Sequence, residues 1–192
     1  MGKEAILSVK GICKNFGTVK ALKSVSASFY PGEIHGLIGE NGSGKSTLSS
    51  VISGIYPPDG GTMSLNGKEY KPSSIIDGER HGICMIVQEM GTINGITVAA
   101  NIFAGQEEQF SRFGIVNRKN MTEAARKALE DIGAPDINAA GNIDEESFEN
   151  RKIVEIARAM CHKIQVLIVD ETTTALSQKG RKLIYALMSR LR

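Results

Sequence analysis

Residues 39–46 read GENGSGKS, which matches the pattern G-x-x-x-x-G-K-[ST]. An apolar segment at residues 34–38 precedes it and predicts a strand. Residues 46–53 follow with a helical pattern, and Gly54 is placed to end that helix. Strand, glycine-rich loop and helix in this order predict a loop whose backbone amides face one anion at the positive end of the helix.

The residue types in the loop indicate what that anion is. Glycines let consecutive N–H groups turn toward one phosphate, Lys45 supplies a positive charge for the β- and γ-phosphates, and Ser46 offers a hydroxyl to Mg²⁺. A glycine-rich turn that binds nothing is the alternative, and the flanking strand and helix disfavour it. We therefore predict binding of a nucleoside triphosphate with Mg²⁺ by Gly39, Glu40, Asn41, Gly42, Ser43, Gly44, Lys45, Ser46 and Thr47.

A second acidic element completes the predicted magnesium site. The apolar run Val166–Val169 is typical of a buried strand and ends at Asp170, whose carboxylate suits Mg²⁺. Glu171 follows directly and is the candidate general base for an attacking water. The alternative is an acidic strand end that only caps the next helix.

Composition excludes several classes of function. A formal net charge of +2 over 192 residues is too small to indicate nucleic-acid binding. No apolar run in the sequence approaches the roughly 18 residues that cross a bilayer, and no secretory signal is expected. Three widely spaced cysteines predict neither a metal site nor a disulfide framework, and they fit a reducing compartment. Any membrane role is therefore expected to come through a partner.

The remaining patterns predict an α/β protein. Residues 6–9 and 83–87 read as strands, and Asn66-Gly67 between residues 63–65 and 68–70 predicts a two-residue hairpin. Apolar spacing predicts helices around residues 124–132, 153–160 and 179–192. A helical insertion is expected roughly between residues 89 and 164.

At this point the chain resembles the ATP-binding-cassette (ABC) family, and within it the ATPases of bacterial sugar importers. The resemblance rests on residues 31–48 around the loop, 83–89, 97–103 and 154–159, in family order. It implies an α/β P-loop NTPase (RecA-like) core with an N-terminal antiparallel β subdomain and an inserted helical subdomain, truncated at the C-terminus. The implied limits are 1–88 for the nucleotide-binding core, 89–164 for the permease-facing helical subdomain and 165–192 for the end of the core.

The resemblance also implies roles for single residues. Phe16 stands where the family has an aromatic that stacks on adenine, although a partly buried core phenylalanine is the alternative. Gln88 matches a residue that contacts Mg²⁺ or the attacking water, although a surface glutamine is the alternative. Mg²⁺ is then expected among Ser46, Gln88 and Asp170, with Glu171 and Gln88 as catalytic residues. His35 is expected to be structural.

The chain departs from the family in three places. The signature motif falls at residues 146–150, where only Ser147 survives in type and Asp144, Glu145, Glu146 and Glu149 crowd the helix start. Such acids oppose a phosphate arriving from an opposite subunit. Thr172 replaces the proline that follows the glutamate, and no histidine follows Asp170 where the family has its switch histidine. We therefore expect nucleotide binding with weak or no turnover.

Together the motifs and the resemblance predict an ATPase subunit or fragment that uses ATP to energise carbohydrate import from the cytoplasmic face of the membrane. The implied partners are a second nucleotide-binding domain in a head-to-tail dimer, transmembrane permease subunits and an extracytoplasmic sugar-binding protein, with no nucleic acid. Two alternatives stay open: a regulatory module that binds nucleotide without turnover, and a non-transport ABC ATPase acting on nucleic acid or ribosomes. The sequence does not indicate which sugar is carried.

Overall fold

Two long antiparallel strands open the computed structural model, which describes residues 4–86, 91–161, 163–170 and 178–191. Strand β1 (Leu7–Phe16) pairs with β2 (Val19–Phe29), and its other edge pairs with β3 (Gly60–Leu65), which continues into β4 (Lys68–Glu69). The sheet order is β2-β1-β3-β4. This sheet is the N-terminal antiparallel β element that the resemblance implies.

The turn between β3 and β4 confirms the hairpin predicted from Asn66-Gly67. Both residues have positive φ, 52° and 73°. A tight turn of this kind requires φ above zero at both central positions, which asparagine and glycine tolerate best. The two adjacent residues therefore have the backbone conformations that this turn requires.

Near the start of β3, Gly61 lies close against the backbone of β1. Its φ is +88°, and a Cβ built there would lie 2.5 Å from the carbonyl carbon and oxygen of Gly11 on β1. Only glycine fits such a position, because any side chain would collide with backbone.

The described residues form two compact units. The first, here called the β unit, contains the described residues of Met1–Met85, Ile164–Asp170 and Met188–Arg192. It holds β1 to β4, helix α1 (Lys45–Ile52), helix α2 (Ile75–Arg80), most of β5 (Ile83–Ile86) and β8 (Val166–Val169), which neighbours β5. Its core gathers apolar side chains from the sheet and from α1: Leu7, Val9, Ile12, Leu22, Leu48, Val51, Ile52, Met63, Leu65, Tyr70 and Ile83.

The second, the helical unit, contains the described residues of Ile86–Lys163 and Glu171–Leu187. It is built from α3 (Val98–Ile102), α4 (Arg118–Asp131) and α5 (Phe148–Cys161), with a two-strand hairpin of β6 (Ser111–Arg112) and β7 (Ile115–Val116). Its core is apolar: Val98, Ala99, Ile102, Phe103, Met121, Ala125, Leu129, Ile132, Ala134, Ile137, Ala139, Ile143, Ile153, Val154 and Ala157. A sixth helix, α6, spans Gln178–Leu191.

Most of the elements predicted from the sequence are confirmed. Helix α1 begins one residue before the predicted start, α4 and α5 contain the predicted helical patterns, and β5 and β8 lie where apolar runs predicted strands. The amphipathic spacing of apolar residues was sufficient for α4, which buries Met121, Ala125 and Leu129 along one face.

The strand predicted at residues 34–38 is wrong. Residues 33–40 are irregular, and Ile38 is 99% exposed. A strand needs neighbours that satisfy its backbone N–H and C=O groups, and in the part of the chain that the structure describes no strand pairs with this segment. Apolar composition alone could not reveal that lack of partners.

Candidate functional site

The glycine-rich loop leads directly into the first turn of α1. Gly42 and Gly44 have φ of +81° and +97°. A Cβ at Gly44 would lie 2.7 Å from the carbonyl oxygen of Ala21 and 2.9 Å from the side chain of Leu22. Gly44 is also the N-cap of α1 and has no side chain to bond the first N–H groups of the helix. Backbone amides at this helix start are therefore left for an outside acceptor, which favours an anion.

Lys45 lies over this loop. Its ammonium donates hydrogen bonds to the carbonyl oxygens of Gly39 at 2.8 Å and Glu40 at 2.9 Å. Loop residues 39–43 are exposed to solvent. A single positive charge is thus held at the mouth of a loop that also presents a helix N-terminus, and both features attract phosphate.

The structure brings together two predicted metal ligands that are far apart in the chain. The hydroxyl of Ser46, in the first turn of α1, donates to a carboxylate oxygen of Asp170 at 3.2 Å. Asp170 directly follows β8, as the sequence pattern indicated. A hydroxyl and a carboxylate oxygen are hard ligands of the type that Mg²⁺ prefers, so the pair fits this ion. Their role as metal ligands stays a prediction.

Two of the predicted site residues, Gln88 and Glu171, lie outside the described residues. Their roles stay predictions. The ring of His35 meets that of Phe29 edge-on at 5.2 Å, and its Nε2 lies 3.3 Å from Glu33, while its structural role stays a prediction.

Phe16 lies at the end of β1 with 41% of its surface exposed. This exposure leaves part of the ring open to a ligand, and its role in stacking on adenine stays a prediction. Its ring packs edge-to-face on that of Tyr56, with centroids 5.1 Å apart and planes at 77°. Sequence reasoning missed Tyr56, whose only signal was an aromatic residue just before the Pro57-Pro58 turn.

The degenerate signature region forms the start of α5. The hydroxyl of Ser147 accepts the N–H of Asn150 at 3.1 Å and so caps the helix. Asp144 accepts the N–H of Gly95 at 2.8 Å, and Glu146 accepts the side-chain amide of Asn150 at 2.6 Å, both within the helical unit. These acids therefore stabilise the start of α5, and they also leave negative charge next to it.

Helix α5 also carries a buried polar network that sequence reasoning missed. Lys152 and Glu155 form an ion pair at 3.1 Å, and Glu155 accepts the N–H of Gly91 at 2.6 Å. Arg158 donates to the carbonyl oxygens of Asn101 at 2.7 Å and Gly91 at 3.1 Å. This network holds the segment after residue 90 against α5 within the helical unit.

The antiparallel sheet, the glycine loop on α1 and the strand-end aspartate define an α/β protein of the P-loop class. A family model described as "ABC transporter" matches residues 22–174. Because that match spans most of the sequence, the chain belongs to the ABC transporter family.

Similar proteins agree with this assignment. The chain is 39% identical over 187 residues to a ribose import ATP-binding protein of Rubrobacter xylanophilus, an alignment that covers 97% of this chain and 37% of that protein. It is 39% identical over 192 residues to a ribose import ATP-binding protein of Escherichia coli O157:H7, covering 100% of this chain and 37% of that protein. The chain thus spans a little over a third of the length of these relatives.

Solved structures share the fold. A nucleotide-free ATP-binding cassette from an ABC transporter matches with a TM-score of 0.78 at 26% identity, covering 97% of this chain and 78% of that one. A second ATP-binding cassette of an ABC transporter matches with a TM-score of 0.75 at 27% identity, covering 97% and 78%. Among the described residues, no helix has the length and apolar character needed to cross a bilayer.

Proposed function

We propose that this chain binds Mg-ATP through residues 39–47 and serves as the ATP-binding part of a carbohydrate importer. The observation that carries the proposal is the contact between Ser46 and Asp170 beside the loop that holds Lys45. Phosphates would lie against the backbone amides at the start of α1, with Lys45 neutralising their charge. Mg²⁺ would lie between the Ser46 hydroxyl and the Asp170 carboxylate, with Gln88 as a further ligand and Glu171 beside the attacking water.

Calorimetry on the purified chain tests this binding. Mg-ATP is expected to bind the wild type, and Lys45→Ala should weaken binding by about tenfold or more, because a charge-assisted hydrogen bond contributes about 1.5–3 kcal/mol. With Mg²⁺ present, Asp170→Asn should bind ATP more weakly than the wild type does, with an affinity close to that measured when a chelator has removed Mg²⁺. Lys68→Ala, an exposed lysine on β4, is the matched control and should bind as the wild type does. Equal binding by wild type and Lys45→Ala would refute the proposal.

The importer role is supported by the names of the relatives, which describe ribose import. We propose that two nucleotide-binding domains close head-to-tail over ATP and drive a transmembrane permease fed by an extracytoplasmic sugar-binding protein. The domain limits are proposed as 1–88, 89–164 and 165–192, with the second facing the permease and the chain at the inner face of the membrane. Co-purification of the full-length protein with permease subunits tests this, and association with ribosomes or nucleic acid instead would contradict it.

Weak turnover is the second part of the proposal. It is supported by the acids at the start of α5, where Glu149 stands beside the Ser147 cap. In the proposed dimer, the start of α5 would contact the phosphate that the opposite subunit holds. Carboxylates beside this helix start repel that phosphate. Glu149→Gly should therefore leave Mg-ATP binding by the monomer unchanged. A protein-specific ATPase rate from this chain comparable to that of an intact transporter ATPase would contradict the expectation, whereas binding without turnover favours a regulatory module.

A further inference from the structure

We propose that Tyr56 is a positioning residue of the base-binding site, and that with Lys14 it holds the Phe16 ring in the plane that receives the base of the nucleotide. This inference rests on the proposed function, because it concerns the other end of the same ligand. It assigns a role to three side chains of the β unit that the phosphate chemistry does not use.

The first observation is the geometry of the two rings. Phe16 and Tyr56 meet edge-to-face at 5.1 Å, and each is 41% exposed. In such a pair the edge of one ring contacts the face of the other, so the orientation of each ring is restricted while part of its surface stays open. An exposed and oriented aromatic face suits stacking with a flat purine or pyrimidine.

The second observation is a lysine held beside both rings. The ammonium of Lys14 lies 5.7 Å from the Phe16 centroid and 6.0 Å from the Tyr56 centroid. It is held there by hydrogen bonds to the carbonyl oxygen of Pro57 at 2.8 Å and to Asp59 at 3.1 Å. A cation over two ring faces stabilises their arrangement, and its position is set by these partly buried contacts with Pro57 and Asp59.

The third observation connects the ring pair to the phosphate loop. The N–H groups of Ile55 and Tyr56 both donate to the carbonyl oxygen of Ser50, at 2.9 and 3.3 Å. Ser50 belongs to α1, the helix that begins at Lys45. Tyr56 is thereby attached to the end of the helix whose start faces the phosphates, while Phe16 comes from β1. One rigid helix thus sets the separation between the phosphate loop and the aromatic pair.

The experiment compares two ligands that share their phosphates. Mg-ATP carries a base, and Mg-tripolyphosphate carries none. For Tyr56→Ala, we expect Mg-ATP affinity to fall by about 2- to 10-fold, the range that one aromatic pair supplies, and Mg-tripolyphosphate affinity to stay unchanged. Tyr56→Leu, which keeps most of the bulk, should show the same loss, and Tyr56→Phe should retain wild-type affinity. Circular dichroism confirms folding of each variant.

Two controls separate positioning from general damage. Phe113→Ala removes another exposed aromatic ring, 92% exposed, with Arg112 lying 5.4 Å from its centroid, and should change neither affinity. In a Phe16→Ala background, Tyr56→Ala should cause no further loss of Mg-ATP affinity, because its effect acts through Phe16.

Each result has a defined meaning. Wild-type Mg-ATP affinity in both Tyr56→Ala and Tyr56→Leu overturns the inference, as does an equal loss for both ligands. An additive loss in the Phe16→Ala background also overturns it. If the wild type binds tripolyphosphate as tightly as ATP, the inferred base-binding site is refuted, while phosphate binding by residues 39–47 is still supported. If the wild type binds neither ligand, the proposed function itself fails.

Discussion

The buried ion pair on α5 gives the sharpest prediction about stability. The side chains of Lys152 and Glu155 are 2% and 6% exposed, and the ammonium lies 3.1 and 3.3 Å from the two carboxylate oxygens. Glu155 also accepts the N–H of Gly91. Glu155→Gln removes the negative charge from this buried site but keeps an oxygen for Gly91, so its effect isolates the charge.

The expected loss of stability comes from the unpaired charge that each single variant leaves buried. Removing one partner of a buried pair costs about 3–5 kcal/mol, because the other charge stays in a medium that solvates it poorly. For a chain of this size, each kcal/mol lowers the melting temperature by about 2–4 °C, which gives a fall of about 6–20 °C for Glu155→Gln. Lys152→Met should cost less, because Arg158 also lowers the pKa of Glu155 and so favours its charged form. The double variant removes both charges and should be close to the wild type.

The assay is urea unfolding followed by far-UV circular dichroism for the wild type, both single variants and the double variant. The matched control is Arg126→Ala on α4, which breaks exposed pairs with Glu123 and Glu130 and should cost less than about 1 kcal/mol. A double variant as unstable as the sum of the two single variants would refute the reasoning, because it would show that the two charges are not coupled.

The same pair predicts a pH dependence. Burial raises the pKa of Glu155, and Lys152 partly offsets this. A carboxyl with a raised pKa in the folded state favours folding most below its ordinary pKa, and that contribution is lost as the pH rises through the folded pKa. Lys152→Met raises the pKa of Glu155 further, so its destabilisation should shrink in acid, where the carboxyl is neutral. Urea unfolding midpoints of the wild type and Lys152→Met at pH 7 and at acid pH check this. An equal loss of stability at both pH values would contradict it.

Three further predictions concern other parts of the chain. Gly61→Ala should destabilise by about 3 kcal/mol or more, since its Cβ would lie 2.5 Å from the backbone of Gly11 at a φ of +88°; an unchanged melting temperature would count against the close approach of β3 to β1. Thr92→Val should stabilise the protein by about 1 kcal/mol in urea unfolding, because the Thr92 hydroxyl is buried without a hydrogen-bond partner among the described residues; destabilisation would show that the hydroxyl is satisfied. The backbone N–H of Asn15 lowers the pKa of Asp59 below its ordinary value of 3.8, so Asp59 stabilises at neutral pH and this contribution is lost as the pH falls through the lowered pKa. The stability difference between wild type and Asp59→Asn should therefore narrow between pH 7 and pH 3, and a constant difference would refute the assignment.

Features that depend only on neighbouring residues could be predicted from the sequence. The glycine loop at residues 39–46 requires positive φ at Gly42 and Gly44, and the Asn66-Gly67 hairpin requires positive φ at both turn residues. Each motif can therefore be recognised from a few adjacent residues. Helices α4 and α5 follow from apolar spacing along their own length. The family could be named from the order of such local motifs.

Contacts between residues far apart in the chain could not be predicted from the sequence and are seen only in the fold. Ser46 and Asp170 are separated by 124 positions, and no local pattern places one beside the other. Tyr56 meets Phe16 because the segment that follows α1 is bonded to β1 through Lys14, which contacts Pro57 and Asp59. Lys152 and Glu155 are buried, although charged residues at such spacing are ordinarily solvated. The apolar segment at residues 34–38 looked like a strand but has no partner in the described chain, because pairing is a property of neighbours in space rather than of composition.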